Sequence, residues 1–260
     1  LTQPRRIATR ALAERIAKEM GEEVKGFVGY VASSGSRTNC SSKIIVKLDR
    51  LVLDELETDP LLTKYSCLII DEAHERTISI DIITGFVSSI LEQRKDFKVI
   101  ITSATLDTDM FEKFFEGSSF AVKKFKLPGR LHNVTNIHKS YPQEESLENK
   151  MYRCITEELL LDMSTFKPSF QGHVLCFCTG VEEVNRMCFR IKQILNPNNF
   201  IVVALHGKLT IEEQRLAFEE LPGKYKIIFC TRIAETAITI NQIKVVIDPG
   251  QDRLRCYDQC

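Results

Sequence analysis

No stretch of the 260 residues is apolar for long enough to cross a bilayer: the most apolar runs, such as Cys67-Leu68-Ile69-Ile70, fall far short of the roughly 20 residues required. Net charge is missing too. The 35 basic and 35 acidic residues cancel, so any grip on nucleic acid or on an anionic surface has to be local. The spacings of metal knuckles and redox pairs are absent as well. Nine cysteines are an odd number, and the close pair Cys176 and Cys178 has a single residue between its members inside an apolar run, unlike a zinc knuckle or a CxxC. They read as buried thiols of a reducing compartment, cytoplasm or nucleus. The chain also opens at Leu1 without a methionine or a targeting segment and stops at Cys260 in mid-pattern, which reads as a piece of a longer protein.

What is present is the material of folded domains. Hydrophobic residues make up 43% and charged residues 27%, enough for one large α/β domain or two of ordinary size. Ala8, Leu12, Ile16 and Met20 recur at steps of four and are followed by Gly21, which predicts a helix over Arg5–Met20 with a glycine stop. Short β-branched runs then alternate with helix-length stretches: Ile44-Ile45-Val46, Leu68-Ile69-Ile70 and Val99-Ile100-Ile101. Such alternation predicts a parallel sheet with helices on both faces. It breaks between Lys126 and Glu148, where Pro128, Gly129, Pro142 and an acid-rich run intervene, and a junction near Ser140 divides the chain into 1–139 and 140–260. A second series follows in Val174-Leu175-Cys176-Phe177, Ile201 to Leu205, Ile227 to Cys230 and Val245 to Ile247. The expectation is two tandem α/β domains.

Leu68-Ile69-Ile70 runs straight into Asp71-Glu72-Ala73-His74, placing two carboxylates at the C-terminal edge of a parallel sheet, where such folds bind ligands. An apolar strand ending in Asp-Glu is the pattern in which Asp71 holds Mg²⁺, largely through water, and Glu72 orients or deprotonates the water that attacks a γ-phosphate. The plainer alternative is an acidic loop whose Asp71 caps the next helix. The next strand leads into Ser103-Ala104-Thr105, whose hydroxyls are suited to hydrogen-bond His74 and sense the nucleotide site, or simply to cap a helix. Arg5 and Arg6 at a helix start offer guanidinium forks to phosphates, or else are solvated helix residues. Thr179 and Thr231 each follow a strand and read in isolation as helix caps.

Taken in order, these segments resemble the DEAH-box family of nucleic-acid helicases through nearly the whole chain. Thr2-Gln3-Pro4-Arg5-Arg6 resembles motif Ia, Asp71 to Arg76 motif II, Ser103-Ala104-Thr105 motif III, Phe177-Cys178-Thr179-Gly180 motif IV and Thr231 to Ile240 motif V, with His206-Gly207 at the expected strand end. The resemblance implies two RecA-like domains, ATP or another NTP with Mg²⁺ between them, and single-stranded RNA across both. It implies catalytic roles for Asp71, Glu72 and His74 and coupling roles for Ser103 and Thr105. Nucleotide contact falls to Thr239 and Asn241, and RNA contact to Arg5, Arg6, Arg50, Thr179, Gly180 and Thr231. An activating protein partner is expected as well.

The chain departs from the family's pattern in several places. No GxxxxGK[ST] loop occurs, and the arginine-bearing motif VI expected after motif V is absent, so the resemblance implies that both domains are incomplete and that residues 1–260 alone turn over no ATP. Motif Ib reads Leu48-Asp49-Arg50 in place of Thr-Asp-Gly, with Arg50 as a substitute phosphate contact. In motif V, Arg232, Ala237 and Asn241 stand where Asn, Ser and Asp are usual. An incomplete first domain is expected to leave apolar faces of Leu68-Ile69-Ile70 and Val99-Ile100-Ile101 partly uncovered. Three functional readings remain open at this point: an RNA-dependent ATPase motor, a catalytically inactive relative that binds RNA or a protein, and a DNA helicase, since the same motifs serve DNA and none of them reads the 2′-hydroxyl.

Overall fold

The computed structural model describes residues 1–24, 26–32, 42–104, 109–129, 132–159, 172–235 and 240–251. The chain divides into two compact units, Leu1–Leu131 and His132–Cys260. The sequence pattern placed the junction near Ser140. Residues 121–129 and 132–142 carry neither helix nor strand, so a break in alternation marks this stretch without locating a boundary inside it.

The first unit is built on a five-stranded sheet in the order β2-β3-β1-β4-β5, every pairing of which is parallel. Its strands are β1 (Thr2–Gln3), β2 (Val28–Val31), β3 (Ile44–Leu48), β4 (Cys67–Ile70) and β5 (Lys98–Ile101). Its helices are α1 (Arg6–Glu19), α2 (Asp49–Thr58), α3 (Ile78–Gln93) and α4 (Asp109–Phe115). Helix α1 stops as its sequence predicts: Gly21 takes φ +73°, and the N–H groups of Gly21 and Glu22 return to the carbonyls of Lys18 and Ala17. Ala13 and Ala17 then pack on Val28, Tyr30 and Val46. A separate cluster joins Leu68 and Ile70 of β4 to Val52 and Leu56 of α2 and to Ile80, Ile83, Val87 and Ile90 of α3. Each fully buried Ile or Val contributes roughly 1.5–3 kcal/mol. Leu68 and Ile70 are therefore covered (5% and 0% exposed), contrary to the expectation for that strand. Ile100 on the edge strand β5 is 49% exposed, in keeping with the expectation for Val99-Ile100-Ile101.

The second unit holds a four-stranded sheet in the order β7-β8-β6-β9, again with every pairing parallel. It comprises α5 (Leu147–Arg153), β6 (His173–Phe177), α6 (Val181–Lys192), β7 (Phe200–Leu205), α7 (Ile211–Arg215), β8 (Tyr225–Cys230) and β9 (Ile243–Ile247). Side chains alternate across the sheet with the two-residue period of a strand. Val174, Cys176, Ile227 and Phe229 meet Met151, Met187 and Ile191 on one face, while Leu175, Val203, Leu205, Ile228 and Cys230 meet Ala217 on the other. Burial raises the thiol pKa values of Cys176, Cys178, Cys188 and Cys230, and all four are free, as the cysteine spacing predicts. Among the described residues no helix is long and apolar enough to cross a membrane.

Candidate functional site

Strand β4 ends at Ile70 and delivers Asp71 and Glu72 to the C-terminal edge of the first sheet. Among the described residues three groups converge on Asp71. The hydroxyl of Thr102, just past β5, donates a short hydrogen bond to Oδ1; the N–H of Glu72 donates to Oδ1 at 3.0 Å; and Nε2 of Gln3 on β1 donates to Oδ2 at 2.6 Å. A carboxylate accepts at about four positions, so one is left over. Asp71 does not cap the next helix. That role belongs to Thr77, whose oxygen accepts from the N–H of Ile80 at 3.2 Å while its hydroxyl donates to Oδ2 of Asp49 at 2.9 Å.

Between Asp71 and Thr77 the backbone turns twice through left-handed conformations at non-glycine residues, Glu72 (φ 55°) and Arg76 (φ 49°). Such residues cost about 1–3 kcal/mol each and persist where their surroundings hold them. Here the N–H of Ala73 donates to the carbonyl of Thr102 at 3.0 Å, and the N–H of Glu75 to the carbonyl of Glu72 at 2.9 Å. His74 is pinned from the neighbouring strand end: the N–H of Ala104 donates to Nδ1 at 3.3 Å. The ring proton therefore sits on Nε2, which lies 3.5 Å from Oε2 of Glu72. His74 is thus joined to Ser103-Ala104-Thr105 through the backbone of Ala104, and Thr105 lies outside the described residues. Burial raises the pKa of Glu72, and the charge of Asp71 raises it further. A carboxylate with a raised pKa is the better base.

Of the arginines expected to meet phosphate, Arg5 caps the start of α1 and pairs with Glu75 at 3.5 Å, Arg6 is exposed in the first turn, and Arg50 is exposed in the first turn of α2. Asp49, which precedes Arg50, is buried and accepts from the Arg50 N–H at 2.7 Å. The loop 71–77 is therefore held to the arginine-bearing segments by three side-chain links, Gln3 to Asp71, Arg5 to Glu75 and Asp49 to Thr77. Sequence reasoning singled out Arg5, Arg6 and Arg50 and missed Gln3, Asp49, Thr77 and Thr102, although Gln3 and Asp49 each lie within two residues of a chosen arginine.

A divalent cation fits this edge only as a hydrated ion. Among the described residues no three His, Cys, Asp or Glu side chains converge as ligands. Asp71 keeps one acceptor position, Glu72 lies beside it, and Oε1 of Gln3 and Oε1 of Glu75 are buried acceptors with no partner among the described residues. Oxygen acceptors of this kind suit the water shell that Mg²⁺ retains.

In the second unit Thr179, His206 and Thr231 all follow C-terminal strand ends. The N–H of Cys178 donates to the carbonyl of Cys230 at 2.7 Å and that of Thr231 to the carbonyl of Leu205 at 3.2 Å, so these strand ends are neighbours. Thr179 spends both its donors on the buried Glu183, N–H and hydroxyl each at 2.7 Å from Oε2, and Gly180 caps the start of α6. Thr231 begins a short turn without a side-chain capping bond. His206 is 4% exposed, and burial lowers its pKa. Asn241 is elsewhere. It precedes β9 at the N-terminal edge of the sheet, donates to Oε1 of Glu220 at 3.2 Å, and lines a cavity of about 550 Å³ with Gly172, His173, Lys226 and Lys244. Thr239 lies outside the described residues. Asn241 is thus not brought together with Thr179 and Thr231.

Residues 151–253 match the family model for the helicase conserved C-terminal domain. Across 96% of its length the chain is 37% identical to the ATP-dependent RNA helicase HrpA of Borreliella burgdorferi, of which it covers 30%. It is 34% identical to the pre-mRNA-splicing factor ATP-dependent RNA helicase prp22 of Schizosaccharomyces pombe, over 99% of this chain and 22% of that protein. It is 35% identical to the human ATP-dependent RNA helicase DHX33, over 99% of this chain and 36% of that protein. The crystal structure of the Escherichia coli DEAH/RHA helicase HrpB superposes with a TM-score of 0.82 at 26% identity, covering 99% of this chain and 31% of that one. The chain therefore spans between 22% and 36% of the length of these proteins. The α/β, RecA-like arrangement expected from the sequence is the one present.

Thr77 anchors both the start of α3 and the carboxylate of Asp49. Thr77→Ala is expected to lower stability by about 0.5–2 kcal/mol, as loss of a helix cap does. An unshifted midpoint in urea unfolding would remove Thr77 from that role.

Proposed function

We propose, from its membership of the DEAH-box family of helicases, that the chain forms part of an RNA-dependent ATPase that moves along single-stranded RNA and remodels RNA or RNA–protein complexes. The observation that carries this reading is the joining of a carboxylate pair, Asp71 and Glu72, to arginine-bearing segments at one sheet edge. Asp71 and Glu72 would hold Mg²⁺ through its water shell, and the ion would supply charge neutralisation at the phosphates. Glu72, its pKa raised by burial and backed by the Nε2 proton of His74, orients and deprotonates the attacking water. Ser103 and Thr105 follow the strand that also supplies Ala104 to His74, which supports a coupling role.

Arg5, Arg6 and Arg50 grip the RNA backbone from the first unit, and Gly180 and Thr231 do so from the second. Thr179 contributes through its place in that edge, its own donors being committed to Glu183. Thr239 and Asn241 are carried as nucleotide contacts by the family pattern alone. In this reading the partners are single-stranded RNA and an activating protein. The free, buried thiols support a reducing compartment, nucleus or cytoplasm. The placement of Asn241 at the opposite sheet edge favours a second reading, a module that binds RNA or protein without turnover.

In the full-length protein, Glu72→Gln is expected to retain Mg–ATP binding and lose multiple turnover. Undiminished turnover in that variant would overturn the assignment of Glu72, and an equally inactive wild type that still binds RNA would establish the second reading. RNA binding is expected to be indifferent to base sequence and to weaken steeply with salt, because each phosphate contact releases counterions. Filter binding of poly(U), poly(A) and a mixed sequence across a salt series measures this; sequence-selective, salt-insensitive binding would contradict it.

A further inference from the structure

Gln3 lies on β1, the central strand of the first sheet, with β3 on one side and β4 on the other, and is 2% exposed. Its amide nitrogen donates to Oδ2 of Asp71 at 2.6 Å. The orientation is imposed, because the amide turned over would set its oxygen against a carboxylate. Two residues on, Arg5 begins α1 and pairs with Glu75 at 3.5 Å. Between them stands Pro4, whose ring locks φ and stiffens the link. The segment Gln3–Arg6 thus carries two arginines at one end, and at the other holds the carboxylate of Asp71. Oε1 of the same amide is buried without a partner among the described residues, so the hydrogen bond to Asp71 is the contact that places it.

We propose that Gln3 is a positioning residue: engagement of an RNA backbone by Arg5 and Arg6 passes through Pro4 and the Gln3 amide to Asp71, and sets the carboxylate orientation on which Mg–nucleotide binding depends. The inference rests on the RNA-dependent ATPase reading and adds to it the path by which the strand site and the nucleotide site of the first unit communicate. Thermodynamic linkage makes the path measurable from either end, since RNA tightens nucleotide binding by the same factor as nucleotide tightens RNA binding.

The test uses the full-length protein, wild type against Gln3→Met, which matches glutamine in length and lacks the amide. Affinity for Mg and a fluorescent ADP analogue is measured with and without saturating poly(U), together with poly(U) affinity without nucleotide and a thermal melt. Wild type is expected to show a coupling factor of about 5–150, the usual range for linked sites, and Gln3→Met a factor of about 1–2, with poly(U) affinity within about 3-fold of wild type because both arginines remain. Should Gln3→Met lose its cooperative melt, Gln3→Asn, which keeps the amide one methylene short of Asp71, takes its place and must show the same loss of coupling. Full coupling in the variant overturns the inference while leaving the functional reading intact. Parallel loss of poly(U) affinity overturns it as well, since the substitution would then have damaged the strand site itself. A wild type whose nucleotide affinity does not respond to poly(U) overturns the functional reading, and the inference with it.

Discussion

The Asp71 carboxylate ties together three strands of the first sheet. It ends β4, receives the amide of Gln3 from β1 and the hydroxyl of Thr102 from beyond β5, and is surrounded by backbone that no longer pairs in the sheet. Asp71 is half-buried, and a charge that has lost part of its water is stabilised where hydrogen bonds replace it. Remove those donors and the carboxylate loses its reason to sit at this edge, and with it the loop that follows. The two left-handed residues Glu72 and Arg76 are the cost of turning that loop back toward Thr77, and they are held by contacts to Thr102 and by the cap that Thr77 places on α3. Strain of this kind gathers at functional loops because the fold around them over-determines their shape.

The same loop faces both ends of the proposed activity. In that proposal Asp71 and Glu72 meet a hydrated cation and a phosphate, and Gln3, Arg5 and Asp49 reach the loop from the segments that carry Arg5, Arg6 and Arg50. One hydrogen bond and one ion pair join the proposed strand-binding segment to the loop proposed to meet the nucleotide, so the proposal needs no long path inside the first unit. The second unit is arranged differently. Its strand ends bring Thr179, His206 and Thr231 to one edge, but Glu183 takes both donors of Thr179, and Asn241 lies at the opposite edge beside Glu220.

The parts that could be read from the sequence are those governed by local pattern. The stripe Ala8, Leu12, Ile16 and Met20 marked α1, Gly21 marked its end, and the β-branched runs marked β3 to β9. Strand β1 escaped because it is two residues long and polar; its place comes from the neighbours that pair with it on both sides. Strand β2 escaped because Gly29 interrupts an already short run. The site divides in the same way. Asp71 and Glu72 stand out as charges at the end of an apolar strand, whereas Gln3, Asp49 and Thr102 acquire meaning only from the register that sets them against the loop 71–77. No linear pattern marks a glutamine as the partner of a carboxylate 68 positions away.

The central claim is that the loop 71–77 and the segment 2–6 respond as one unit to a bound strand. Amide hydrogen exchange of the full-length protein, with and without single-stranded poly(U) and without nucleotide, tests it most directly. The expected result is slowed exchange in both segments on adding poly(U). Protection of residues 2–6 with no change at residues 71–77 would contradict the claim.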